Sequence, residues 1–558
     1  MTGAEALVEA LERQGVEVIF GIPGGVVLPL FDALYKSKKI KVILTRHEQG
    51  AVHAADGYAR VTGKVGVCLA TSGPGATNLV TGICNAWMDS VPIVALTGQV
   101  NTTLLGRDSF QEADIFGITM PITKHSYLVK TPEMLTRSVA EAFYIAGTGR
   151  PGPVLIDLPA DICAMEYKFK HPEAIELRGY KPTITGHKQQ IKKAAKVLQS
   201  AKRPLLYVGG GVIIAEASEE LKTLALRMDI PVTNTLMGKG AFPESHDLAL
   251  GMLGMHGTWY ANKAISNADV VMAVGVRFDD RVTGRIESFA SNARIIHIDV
   301  DPAEIAKNVP VEIPIVGNAK SILAEMLMDL KAAKHDEWNL TLKQWKAEHP
   351  LSYKDSDTII KPEYVVEQIY KITGGKAIVC TEVGQNQMWA AQYYLNNEPR
   401  TWLSSGGLGT MGYGFPAAIG AQVGQPDALV IDVAGDGSIQ MNIQELATAV
   451  QNKLPVKIVI LNNGYLGMVR QWQQMFFDRR YASSELRSGN PDFAKVAQAY
   501  GAEGHTVTEK KDVIPVLRNA FKNKNTCIID IHVEREQNVM PMVPKGASLD
   551  EMITEWED

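Results

Sequence analysis

Two short runs in the last third of the chain have the residue types that hold a divalent cation against phosphate. The apolar run Leu429-Val430-Ile431-Asp432-Val433-Ala434 leads into Gly435-Asp436-Gly437-Ser438, and about 24 residues later Val456 to Leu461 leads into Asn462-Asn463. If both runs are strands joined by a helix through about Gln451, a parallel crossover sets Asp436 and Asn463 side by side at neighbouring strand ends. A carboxylate and an amide oxygen suit magnesium, which takes few protein ligands and completes its octahedron with phosphate oxygens and water. The glycines let backbone amides come close to a diphosphate. Taken alone, Gly-Asp-Gly is equally a tight turn.

A second candidate lies near the N-terminus. Thr45 is followed by Arg46-His47-Glu48-Gln49-Gly50, which places Glu48 near a helix start. There it is either a carboxylate stabilised by the helix dipole or an acid in a site. Further on, Thr71-Ser72-Gly73-Pro74-Gly75-Ala76-Thr77-Asn78 has the form of a strand-to-helix glycine turn, a common shape that decides little by itself.

The elements that must position these residues can be read from the hydrophobic pattern. Short runs at Val42 to Leu44, Val65 to Ala70, Ile93 to Leu96, Pro204 to Val208, Val270 to Val274, Ile295 to Val300, Ala428 to Val433, Val456 to Leu461 and Cys527 to Ile531 alternate with helical stretches. That alternation predicts an α/β chain of parallel sheets with crossover helices, whose ligands sit beyond the carboxyl ends of strands. Polar segments at about Lys168 to Lys188 and Ala332 to Lys361 read as linkers. They divide the chain into doubly wound domains at 1–168, 188–332 and 360–540, with a tail at 541–558.

At 558 residues, 46% hydrophobic and 21% charged, the chain is too long for one core and has a globular composition. A net charge of -5 with no basic stripe argues against nucleic acid as a partner. No apolar run reaches the roughly 18 residues of a membrane span and no signal peptide is evident, so a cytoplasmic protein is expected. Cys68, Cys84, Cys163, Cys380 and Cys527 lack metal or disulfide spacing and are expected to be inert thiols.

Together, Gly-Asp-Gly with its downstream Asn-Asn and the segment Arg46 to Arg60 resemble the thiamin diphosphate enzymes. The resemblance implies that Asp436, the Asn463 side chain and the Tyr465 carbonyl hold magnesium. It gives Val383, Gln385, Gly409, Gly435, Gly437, Ser438 and Met468 to the cofactor. Glu48 would hydrogen-bond the aminopyrimidine and so promote proton loss from the thiazolium carbon, and Met411, in the loop Gly406 to Gly414, would wedge between the two rings.

The likeness covers nearly the whole chain. It narrows to acetohydroxyacid synthase (acetolactate synthase) through Phe20 to Gly25, Ser109-Phe110-Gln111-Glu112, Arg150 to Val154, Arg277-Phe278-Asp279-Asp280-Arg281-Val282-Thr283-Gly284 and Gly467 to Trp472. That family decarboxylates pyruvate and joins the two-carbon fragment to pyruvate or 2-ketobutyrate, at the start of branched-chain amino-acid synthesis. The resemblance implies a middle domain that binds FAD through Gly209, Gly210, Gly211, Arg277, Asp279 and Asp299, with no net redox role. Trp472 would favour 2-ketobutyrate, Arg281 would hold its carboxylate, and Gly25, Phe110 and Gln111 would surround the reacting carbons.

A homodimer or homotetramer is implied, Glu48 of one subunit meeting the diphosphate of another, with a separate regulatory small subunit as a further partner. Two positions depart from the family. Asn386 stands where His is usual, which predicts an amide contact to the diphosphate, and Ala160, before Asp161, stands where Lys is usual. The alternatives are a fermentative, FAD-independent acetolactate synthase, a carboligase for glyoxylate or aldehydes, and a catalytically dead nucleotide-binding regulator. The run 277–284 with Trp472, the presence of Glu48, and the joint presence of Glu48, Asp436 and Asn463 count against them in turn.

Overall fold

Runs of Val, Ile and Leu that are apolar on both faces form strands buried from both sides, and here they build three parallel six-stranded sheets. The computed structural model describes residues 1–170, 172 and 174–556. Across the first sheet the strands lie in the order Lys41–Leu44, Val18–Gly21, Gly66–Ala70, Ile93–Gln99, Val154–Pro159 and His125–Leu128. The third sheet repeats that topology with Trp402–Leu403, Ile378–Thr381, Val430–Gly435, Lys457–Asn462, Cys527–His532 and Glu503–Val507.

The middle sheet is wound differently. Its order is Ile313–Val316, Arg294–Asp299, Val270–Val274, Pro204–Val208, Val232–Asn234 and Ala249–Met252. Numbered within the domain and taken from the other edge, this is 3-2-1-4-5-6, the dinucleotide-binding order, whose switch point lies between the first and fourth strands. Those strands end at Val208 and Val274, so Gly209 to Gly211 and Gly275 to Arg277 face each other across the crevice.

Every strand run read from the sequence lies in one of these sheets. The second polar segment is not a bare linker, because it contains the helix Asp336–Glu348. Trp338, Leu342 and Trp345 fall on one face of that helix and pack into the middle domain beside Tyr207 and Ala264. The tail folds back as well: Val543 and Leu549 are buried in the same cluster, and the Val543 amide donates to the Met255 carbonyl at 2.8 Å. Among the described residues, no helix is long and apolar enough to cross a membrane. All five cysteines are free, and four of them are buried.

Candidate functional site

The Gly435-Asp436-Gly437 turn closes the strand Val430–Gly435, and the neighbouring strand pairs Gly435 with Leu461, so Asp436 and Asn463 both emerge at the same edge. Asp436 is buried. Its Oδ2 accepts from Asn490 Nδ2 at 2.6 Å, while Oδ1 is enclosed without a donor. Burial pushes this carboxyl up to about 6, against the pull of Asn490. An enclosed anionic oxygen with no donor is costly unless a cation meets it, so the position fits a magnesium ligand.

Asn463 is turned to suit. Its Nδ2 donates to Gln385 Oε1 at 3.0 Å, and its Oδ1 accepts the Tyr465 amide at 3.1 Å with one lone pair left over. Gln385 is itself fixed by donating to Gln471 Oε1 at 2.8 Å and the Gln537 carbonyl at 2.9 Å, so its side chain, expected to contact the cofactor, has no amide hydrogen left for a diphosphate and instead orients Asn463. Ser438 Oγ exchanges bonds of 3.2 Å with the Gly435 amide and carbonyl, which tightens the turn.

A Cβ built on Gly437 would stand 3.9 Å from Met411 Cε, so Met411 lies over the turn. The Met411 loop is held by Glu382, which accepts the Gly412 amide at 2.6 Å and the Phe415 amide at 3.0 Å. Asn386 corrects an expectation. Its Nδ2 donates to the carbonyls of Glu382 (3.0 Å) and Val433 (2.9 Å). With both side-chain amide hydrogens spent on the main chain, the side chain offers only an acceptor oxygen, which does not suit a diphosphate.

Glu48 opens the helix Glu48–Thr62, whose N-cap is His47 and whose last turn is closed by Gly63 at φ 73°. Its Oε2 accepts from Asn78 Nδ2 at 2.9 Å. A Cβ at Gly75 would lie 3.4 Å from Glu48 Oε1, one at Gly24 would meet Thr71 at 2.4 Å, and one at Gly73 would meet Gln111 at 2.9 Å. The glycine turns thus gather Glu48, Gly25 and Gln111 at the carboxyl ends of the first two central strands of the N-terminal sheet. Gln111 is in the left-handed region at φ 59°, and Phe110 beside it is 89% exposed. Asp161, next to Ala160, accepts from the Thr102 amide and hydroxyl and presents no positive group.

A cavity of about 860 Å³ runs between the middle domain and the other two. Its wall includes Gly210, Gly211, Arg277, Asp279, Arg281 and Asp299 of the middle domain and Val383, Gly409, Met468 and Trp472 of the C-terminal domain. Gly209 stands behind the wall, where a Cβ would collide with the Gly275 carbonyl at 2.3 Å; its role is to let the two turns approach. Burial lifts Asp299 to about 6. Trp472 sits on the helix Gly467–Phe476, and the Arg281 guanidinium lies over its ring at 5.8 Å from the centroid. Glu48, Gly25, Phe110 and Gln111 are not in this wall.

Sequence reasoning missed Asn490, Glu382 and the orienting role of Gln385. Asn490 sits in an Asn-Pro turn with no apolar period around it, and its partner Asp436 lies 54 residues away.

Comparison with known proteins accounts for all three domains. Residues 1–118 match the thiamine pyrophosphate enzyme N-terminal TPP binding domain, 191–326 the central domain, and 382–531 the C-terminal TPP binding domain. The acetolactate synthase large subunit of Haemophilus influenzae is 50% identical over 99% of this chain and 98% of its own. That of Corynebacterium glutamicum is 52% identical over 98% and 89%, and the isozyme 3 large subunit of Escherichia coli 48% identical over 99% and 98%.

Proposed function

The chain belongs to the acetolactate synthases of the thiamin diphosphate enzyme family, and from that premise we propose that it converts two pyruvates into 2-acetolactate and carbon dioxide, and pyruvate with 2-ketobutyrate into 2-aceto-2-hydroxybutyrate. The observation that carries the choice of substrates is the Arg281 guanidinium over the Trp472 ring, within a cavity shared by three domains. A 2-ketoacid needs a cation for its carboxylate and an apolar surface for its alkyl end, and this pair offers both.

Thiamin diphosphate, when bound, supplies the electron sink that decarboxylation of a 2-ketoacid requires. Asp436 Oδ1, Asn463 Oδ1 and the Tyr465 carbonyl hold magnesium, a role supported by the unpartnered Asp436 oxygen. Glu48 holds a proton against the pyrimidine, Asn78 orienting its carboxylate. Gly210, Gly211, Arg277, Asp279 and Asp299 hold FAD, a reading supported by the 3-2-1-4-5-6 strand order and by the place of all five in the cavity wall. Gly25, Phe110 and Gln111 cover the reacting carbons.

The exposure of Phe110 and the separation of Glu48 from the cavity wall support a homodimer, or a pair of dimers, in which Glu48 serves the partner's cofactor. The relatives' designation as large subunits supports a separate small subunit as a further partner.

The test is turnover of pyruvate by purified protein with magnesium and thiamin diphosphate, with and without FAD, and with 2-ketobutyrate added. FAD-dependent formation of both products, the larger one favoured, is the expected result. Acetolactate alone without FAD would transfer the chain to the fermentative type, and no product would remove the proposal.

A further inference from the structure

Glu445 lies in the C-terminal domain, in the short turn Ile443–Glu445 that follows the Asp436 turn, and is fully buried. Its carboxylate leaves its own domain. Oε1 accepts the backbone amides of Arg46 at 3.0 Å and His47 at 2.9 Å, and Oε2 accepts the Arg46 amide at 3.2 Å and the Thr448 hydroxyl at 2.6 Å. Those two amides immediately precede Glu48, and the amide that immediately follows it, of Gln49, is taken by His47 Nδ1 at 3.0 Å. The main chain leading into Glu48 is therefore fixed at two successive amides, and the partner that fixes it lies 399 residues away in sequence.

The fit is close enough to dictate a neighbour. A Cβ built on Gly50 would lie 2.4 Å from Glu445 Oε1, so any larger residue two positions beyond Glu48 would displace the carboxylate. Two amides meeting one buried carboxylate form charge-assisted bonds, the stronger class, and leave the turn little freedom. A lesser contact across the same seam, Arg46 Nη2 to Gln451 Oε1 at 2.7 Å, touches a side chain and leaves the main chain alone.

We propose that Glu445 is a positioning residue for Glu48: by gripping the Arg46 and His47 amides, it sets the direction in which the Glu48 carboxylate meets the cofactor's pyrimidine. This rests on the reading of Glu48 as the acid of the site. Glu445 touches neither substrate nor cofactor. Because it follows the Asp436 turn on the same strand-to-helix connection, it also links a chain's own diphosphate loop to the acid that the chain lends to its partner.

Full-length Glu445→Ala, Glu445→Gln, Gln451→Ala and Glu48→Gln proteins are compared in two measurements. In cofactor-free protein, hydrogen exchange followed by mass spectrometry should show the 44–52 segment of Glu445→Ala exchanging at least tenfold faster, with Gln451→Ala unchanged. In the protein reconstituted with thiamin diphosphate, magnesium and FAD, exchange of the thiazolium C2 proton, read by NMR after acid quench, should slow about tenfold or more in Glu445→Ala. It should be partly restored in Glu445→Gln, which keeps one acceptor oxygen, while the KM for pyruvate and the affinity for thiamin diphosphate hold.

Wild-type C2 exchange in Glu445→Ala overturns the proposal and leaves a purely structural contact. Equal slowing in Gln451→Ala overturns it too, since any loosened seam would then suffice. If Glu48→Gln itself exchanges C2 normally, the reading of Glu48 is what fails. Should Glu445→Ala not fold, Glu445→Gln carries the same two readouts, and wild-type values for both would overturn the proposal.

Discussion

The helices Glu48–Thr62 and Gly414–Gly424 cross so closely that two glycines are obligatory. A Cβ on Gly57 would stand 2.1 Å from the Ala417 carbonyl oxygen, and one on Gly420 would stand 1.8 Å from that of Ala54. Carbon and oxygen need about 3 Å or slightly more, so Gly57→Ala or Gly420→Ala must drive the helices apart by about 1 Å. In a filled core such overpacking costs about 1–3 kcal/mol, and the gain from replacing a helical glycine by alanine offsets only about 0.5–1 kcal/mol of it.

Each variant should therefore unfold at a temperature a few degrees lower. A second effect follows from what the first helix carries, because shifting Glu48 by about 1 Å is enough to cost up to about 10²-fold in rate. The assays are thermal unfolding and pyruvate turnover under saturating cofactor. Gly147→Ala is the control for stability alone: it sits at the end of the helix Pro132–Gly147, where a Cβ meets only Val65 at 3.8 Å, and should leave the unfolding temperature at or slightly above wild type. Wild-type stability and turnover in Gly57→Ala would refute the claim that the crossing sets the position of Glu48.

Arg60 donates to Asp56 at 2.6 Å and to Asp89 at 3.0 Å, both acids fully enclosed, so Arg60→Ala should lose about 3–5 kcal/mol by leaving two buried carboxylates without a cation; unchanged unfolding would contradict that. Burial pushes Asp157 from 3.8 up to about 7. Its neutral form is the one the fold prefers, so its contribution is complete below about pH 4 and is lost as pH rises through about 7, on the order of 4 kcal/mol in all. Asp157→Asn should accordingly gain on wild type in unfolding temperature as pH rises across that window, and a difference that does not vary with pH would count against it. Trp472→Leu should reduce the preference for 2-ketobutyrate over pyruvate about tenfold in competition assays, since apolar contact to one methylene is worth about 1–3 kcal/mol; an unaltered product ratio would remove Trp472 from specificity.

What could be read in advance is what local pattern encodes. The strand runs are continuous stretches of β-branched residues, and Asp436 and Asn463 are placed by strand ends, so both the sheets and the pairing of these two residues were legible. The helix Asp336–Glu348 was not: Trp338, Leu342 and Trp345 carry its spacing, but the charged residues around them mask that signal, and the segment reads as a linker. Glu445, Asn490 and Gln385 act on partners 399, 54 and 78 residues away, and nothing next to them in sequence announces those partners. The inward turn of Asn386 was hidden for a related reason: its donors answer carbonyls on the loop at Glu382 and the strand at Val433, which only the folded sheet brings within reach.

The cavity between the domains also bears on how long the protein survives. Whatever fills it touches Tyr144 and Arg150 of the first domain, Phe278 and Asp299 of the second, and Met388 and Trp472 of the third. Pulling any domain away forfeits that binding free energy, about 2.7 kcal/mol when the free ligand stands at a hundred times its Kd. A chain starved of its ligand should therefore open first at the domain seams, with the sheets still intact, and expose cleavable backbone there. Its lifetime in the presence of proteases would then follow the supply of that ligand.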